Sequence, residues 1–358
     1  MKKAVLTLLM LTAIGFSPAV SAQTDEQADL DALYQQIDEA ILQSPQYVAE
    51  RRRQIGVSTG RLKVETTAEG CLLIAEELFD LYKPYRNDSA LYYAELCISL
   101  ADSLHRPDIA GHFRSMLAYQ CSNADLFTES LEQLRLVNKS VLDTTGLVNY
   151  YNAWMHVYGE LGSYTQRKDV RQKYYDLQNL YRDSVLMVTK EGSDEWFHLK
   201  MDVLSGRRLY QDALALSDQW LQRADDHTHE SAFAAFYRSM VYSNLSNHDM
   251  TCYWLGKSAL DDIQCAVMDQ ASLLFLAEHL ADDGDFSRAR RYAAFAKECN
   301  LAFCPRLRAY QVPSVVRVLE KSSQASLSRS NLIMWAASAV ITLLLITLII
   351  IIYRRTKS

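Results

Sequence analysis

The densest set of groups able to hold a metal or move a proton is Asp225-Asp226-His227-Thr228-His229-Glu230. Two imidazoles two residues apart could share an ion in an extended loop, because neutral imidazole is a ready zinc ligand. No third ligand follows at a recognisable spacing. The segment reads better as a solvated loop in which Asp226 or Thr228 caps the next helix. Among the eight histidines, His112, His156, His198, His248 and His279 stand apart and read as helix-surface residues. No HExxH, GxSxG, GxGxxG or phosphate-loop pattern occurs. Acidic pairs such as Glu76-Glu77 and Asp282-Asp283 need only solvent. The expectation is therefore no catalytic residue, no metal site, no cofactor and no enzymatic activity.

The seven cysteines are Cys71, Cys97, Cys121, Cys252, Cys265, Cys299 and Cys304. The number is odd and no CxxC occurs. Cys97, Cys121 and Cys252 fall at or near positions where a helix pair needs a small apolar filler, a part Cys plays well. Cys299 and Cys304 could bridge across the end of a helix; buried thiols are the default reading.

The elements that carry these residues must be helical. Gly and Pro together make up 18 of 358 residues, and none of the prolines lies between Pro107 and Pro305. A 197-residue stretch without the strongest helix breaker excludes all-β, collagen-like and disordered classes. The clearest repeating unit places Leu276-Ala277, Leu280, Gly284, Phe286, Ala289, Ala293 and Ala296 at tetratricopeptide spacing. Ala277 and Ala289 are small where two antiparallel helices cross. Gly284 allows the left-handed residue that ends the first helix. Phe286 fills the turn, and Leu276 faces the partner helix.

Weaker copies run through Leu117-Ala118 to Leu134, Trp154 to Tyr174, Tyr210 to Ser217, and Tyr242 to Ser258. Ala90, Ala94 and Cys97 form the second helix of an earlier unit, with Asn87-Asp88-Ser89 as its cap. The equivalent small positions near 90, 130, 167, 213, 252 and 289 predict about six hairpins in an all-α, right-handed superhelical solenoid. Grooves of such solenoids bind peptides through their first helices. By register, Tyr119, His156, Glu160, Glu278 and Asp282 are candidates for that concave surface.

Both ends of the chain differ from its middle. Met1-Lys2-Lys3, an apolar run from Ala4 to Phe16 and Val20-Ser21-Ala22 form the pattern of a secretory signal peptide, residues 1–22. Gln23 would follow, and its not being Cys argues against a lipid anchor. Leu332 to Tyr353 is 22 uncharged residues, about 33 Å of helix against a hydrocarbon core of about 30 Å. The expected division is a periplasmic repeat domain at 23–330, a transmembrane helix at 331–353 and a short tail at 354–358. Arg354, Arg355 and Lys357 place that tail in the cytoplasm. The exported part then carries 32 basic against 43 acidic residues. Such a surface repels phosphate backbones, so it is not expected to bind nucleic acid.

The segment Tyr253-Trp254-Leu255-Gly256-Lys257-Ser258-Ala259-Leu260-Asp261-Asp262-Ile263 and the stretches Ala271-Ser272-Leu273 and Asp283-Gly284-Asp285-Phe286-Ser287-Arg288-Ala289 carry a family likeness. So do Arg290-Arg291-Tyr292, Pro305-Arg306-Leu307-Arg308, and the opening from Leu30-Asp31 through Ser44-Pro45-Gln46-Tyr47 to Arg52-Arg53-Gln54-Ile55. The chain resembles a Bacteroides-type family of membrane-tethered tetratricopeptide regulators, a domain of unknown function. The resemblance implies a periplasmic repeat domain, one inner-membrane helix, and then a cytoplasmic coiled coil with a helix-turn-helix-like output region. The sequence stops at Ser358, short of that region, and the family offers no catalytic residues to transfer. The expected function is a non-enzymatic, signalling-related protein that binds a protein or peptide partner in the periplasm, with another inner-membrane protein as a further partner. The alternative is a structural scaffold for envelope or uptake-complex assembly.

Overall fold

The computed structural model describes residues 18–304 and 311–357. The charged and apolar parts of the signal-peptide segment, residues 1–17, lie outside the described residues, as do Pro305 to Arg308. Every described element is helical: α1 Pro18–Val64, α2 Ala68–Tyr82, α3 Asn87–Ser103, α4 Pro107–Asn123, α5 Phe127–Leu136, α6 Thr144–Tyr164 and α7 Lys168–Val188. A single 3₁₀ turn at Lys139–Val141 precedes α6. Then follow α8 Asp194–Gly206, α9 Tyr210–Arg223, α10 His229–Asn244, α11 His248–Gln264, α12 Ala271–Asp282, α13 Phe286–Phe303 and α14 Gln311–Lys357.

Six antiparallel hairpins, α2–α3 to α12–α13, stack as the repeat spacing predicts. Local chemistry sets each start. Thr67, Ser193, Thr228, Asn247 and Asp285 each accept a backbone N–H in the first turn of the helix they precede. Thr228 caps α10 as expected. The expected cap at Asn87-Asp88-Ser89 is displaced: Asn87 lies inside α3 with its amide donating 3.1 Å to the Gln120 carbonyl. Pro107 opens α4, where its missing N–H costs nothing.

Four of the six hairpin turns share one device. Asp125, Arg208, Ser246 and Gly284, each two residues before the second helix, have φ of +63°, +59°, +57° and +88°. The crossing is set by the fourth residue of the second helix. Ala90, Ser130, Ala213, Thr251 and Ala289 occupy it, all of them buried, so the small position expected near 252 is Thr251. The α6–α7 hairpin departs from this rule. Its second helix fully buries only Val185, and stacked rings join the pair instead, with Tyr181 5.4 Å from Trp154 and 5.7 Å from Tyr158.

Helix α1 has no partner in a simple solenoid, and it closes the stack. Leu33, Tyr34, Ile37 and Ala40 enter one core with Leu255, Ala259, Leu276 and Tyr292 of the last two hairpins. Gly256 permits the approach, since a Cβ there would stand 2.7 Å from Leu33 Cδ2. Further along α1, Ile55 joins Ile74, Leu78 and Tyr85 from the first hairpin with Met268, Cys299 and Phe303. The two ends of the superhelix thus meet across α1.

Helix α14 is a single element through position 330, where the sequence places a boundary. Its near end buries Ser314, Val315, Val318 and Ser322 against α12 and α13. Its far end is long and apolar enough to cross a membrane, and Leu332, Trp335, Leu343, Leu345 and Ile351 are all exposed.

Candidate functional site

Three of the five expected groove residues come together. The Tyr119 ring on α4 stacks on His156 of α6, centroids 3.9 Å apart. Ser122 Oγ lies 2.8 Å from both the Tyr119 carbonyl and His156 Nδ1. A hydroxyl has one proton to give. With that proton on the carbonyl, Nδ1 carries its own and Nε2 is the nitrogen turned to Glu160, 3.8 Å away.

The row continues on the first helix of the next hairpin. His198 of α8 lies 3.6 Å from Glu195 and 4.0 Å from Asp202, one turn to either side. Its ring centroid is 4.7 Å from that of Tyr237 on α10. Burial works against a charge on His198, but the two carboxylates outweigh it and hold the imidazole above its ordinary value. Burial pushes the Asp202 carboxyl up, against the pull of His198 and Arg182. Burial also raises the Tyr237 phenol, which feels Asp202 and, from the first cluster, Tyr119. The two clusters lie on the first helices of consecutive hairpins. Phe233, one turn before Tyr237, is exposed. The result is a row of aromatic faces and carboxylates across α4, α6, α8 and α10. It can embrace a cationic or aromatic segment.

The family model for the SusR N-terminal TPR domain matches residues 41–314. The chain belongs to this family. The match starts within α1 and ends in the first turn of α14. No curated protein matches. Repeat domains of the SusR type are generally interaction modules rather than catalysts.

The other two expected groove residues in this SusR-type domain are paired with its own α14. Glu278 lies 3.6 Å from Arg317 of α14, and Asp282 pairs with Lys321 one turn along. Register assigned both to one face of α12, but it could not show that Arg317 and Lys321 of α14 pair with them there.

The residues after each of them, His279 and Asp283, look the other way. His248 Nε2 on α11 is 2.8 Å from Asp283 Oδ2 and 3.7 Å from Cys252 Sγ, and its ring is 5.1 Å from that of His279. Histidines that look isolated along the chain are thus paired by the α11–α12 crossing. The signal was present as two i,i+4 pairs, His248/Cys252 and His279/Asp283, on consecutive helices. His112 is also engaged, through Asn149 at 3.2 Å, and burial lowers its pKa.

The histidine pair that looked most like a metal site serves two separate carboxylates. His227 meets Asp261 at 3.1 Å and His229 meets Asp262 at 2.8 Å, fastening the α9–α10 loop to α11. Ser231 donates to Asp261 at 2.6 Å. The bridge considered between Cys299 and Cys304 is not drawn. Both side chains lie in the apolar core beside Phe303 and Met268.

Proposed function

We propose that this SusR-type chain is an exported, membrane-tethered receptor whose groove holds a protein or peptide segment bearing cationic and aromatic side chains. The observation that carries the reading is the row from Tyr119 and His156 through Glu160, Glu195 and His198 to Tyr237. Those groups lie half-buried on four consecutive first helices, where carboxylates and ring faces are poised for a cation. An export signal at 1–22 puts the repeat domain, 23–330, in the periplasm. The span at 331–353 holds it at the inner membrane, and Arg354, Arg355 and Lys357 keep the tail at 354–358 cytoplasmic. The bound segment belongs to a periplasmic protein or to the outer face of another inner-membrane protein. The role is recognition and signalling without catalysis.

The test is site-specific photocrosslinking of the full chain in the membrane. A crosslinker at Phe233, in the row, captures a partner, and Glu160→Lys on a different helix abolishes the adduct. A crosslinker at Met187, exposed on α7, captures none. Adducts indifferent to Glu160→Lys, or equal from both positions, would overturn the proposal.

A further inference from the structure

We infer that His248, Cys252, His279 and Asp283 form a zinc-binding site at the joint between the last two hairpins. The first three present ligand atoms all within 4.8 Å of one another. The fourth is 2.8 Å from the first. In tetrahedral zinc, bonds of about 2.0–2.3 Å to nitrogen and sulfur separate ligand atoms by roughly 3.3–3.8 Å. The Cys252–His248 separation of 3.7 Å already falls there. The remaining adjustments are side-chain rotations, with the His248–Asp283 pair opening by less than about 1 Å.

His248 and Cys252 lie one turn apart on α11, and His279 of α12 with Asp283 at that helix's C-cap face them. Two imidazoles, a thiol and a carboxylate form a donor set that suits zinc better than calcium or magnesium, which prefer oxygen. The surroundings favour a cation. Asp249 acts on Cys252 and Glu278 on His279, and the Tyr34 hydroxyl of α1 reaches the Cys252 thiol to orient it. Coordination replaces the Cys252 S–H bond with a sulfur–zinc bond, and the proton leaves to solvent.

The position has a consequence. On α12, Glu278 and Asp282 hold α14, while their neighbours His279 and Asp283 would hold the metal. Zinc would fix α11 to α12 directly beside the dock of the membrane helix, with α1 over it.

The full chain in detergent, stripped with chelator, is titrated with cobalt(II) and then zinc. One equivalent of cobalt should give a near-ultraviolet thiolate-to-cobalt band that one equivalent of zinc erases. Zinc should raise the Tm of the wild type. Cys252→Ala should remove the band, and His279→Ala should weaken zinc binding by at least about 100-fold. Cys252 is a small buried side chain next to the crossing position that Thr251 holds, so Cys252→Ala should keep the fold, checked by its helical melt. Absence of the band in the wild type overturns the site, as does a band that survives Cys252→Ala. Zinc affinity unmoved by His279→Ala in a folded variant does the same.

Discussion

Asp38 on the first helix accepts a hydrogen bond from Arg291 on the last hairpin at 2.9 Å, 253 residues along the chain. Arg288, one turn earlier, approaches the same carboxylate at 3.5 Å. Beneath this ion cluster, the Tyr292 hydroxyl donates to the Tyr34 carbonyl at 3.1 Å. These contacts record how α1 joins the two ends of the superhelix. The energy comes from what they cover. Exposed ion pairs contribute about 0–1 kcal/mol, whereas each fully buried aliphatic side chain contributes about 1.5–3 kcal/mol.

Ile37 measures that closure, being fully buried among side chains from α11 to α13. Ile37→Ala should cost about 2–5 kcal/mol in denaturant unfolding. Asp38→Ala should cost under about 1 kcal/mol, since Arg291 is half exposed. Equal losses would mean that electrostatics holds α1 in place.

Val318 reports on the second long helix in the same manner. It is fully buried against α12 and α13, whereas the ion pairs beside it are wet. Val318→Asp should release the near end of α14 while leaving α2 to α11 intact. Hydrogen exchange would rise at 311–322 alone. A global rise would show that α14 is part of the core rather than docked on it.

The spacing of small residues was enough to find the hairpins, because helix crossings leave a periodic mark on composition. Ala90, Ala213 and Ala289 sit where the repeat requires, and so does the left-handed Gly284. That Tyr119, His156 and Glu160 are neighbours was legible by the same logic, since register assigns a face. Closure was not legible. Asp38 and Arg291, or Glu278 and Arg317, are ordinary charges whose pairing depends on the curvature accumulated over six hairpins. The His248–Cys252–His279–Asp283 cluster was missed for a nearer reason. Its two halves lie on separate helices, and neither half is a motif by itself. The Asp225–Glu230 segment misled in the opposite sense, because closeness in sequence suggested a shared ligand where the fold supplies two partners.

Glu230 at the start of α10 carries a pH signature. Burial, reinforced by Asp194, pushes its carboxyl up to about 7 from an ordinary 4.5. The folded state therefore keeps a proton that the unfolded chain has released across that range. Its contribution to stability falls as pH rises from 4.5 through 7, and below 4.5 both states are protonated. Glu230→Gln should stabilise the protein at pH 8 by up to about 1 kcal/mol, given the solvent screening of this half-exposed group, and should change little at pH 4.5. Melting curves of the two proteins at both values decide it. A pH-independent difference would exclude titration as the cause.

Gly162 tests the aromatic hairpin. A Cβ there would lie 2.5 Å from Cε1 of Tyr175, a rigid ring edge on α7. Ala ordinarily gains up to about 1 kcal/mol over Gly inside a helix. Here the clash costs about 1–3 kcal/mol, so Gly162→Ala should be net destabilising in denaturant unfolding. A gain would mean that α6 and α7 can part at no cost.

Arg208 carries the converse prediction. It holds φ +59° in the α8–α9 turn, the same place that Gly284 fills in the α12–α13 turn, and its side chain is exposed. A left-handed L-residue costs about 1–2 kcal/mol, and glycine escapes that cost while giving up some chain entropy on folding. The sterics outweigh the entropy at a position that is already left-handed. Arg208→Gly should therefore raise stability by about 0.5–1 kcal/mol. Gly284→Arg, where φ is +88°, should lower it, because an added Cβ meets no neighbour there but strains that backbone. Opposite signs for the two exchanges in thermal unfolding would show that the repeat turn, rather than the side chain it carries, determines the preference.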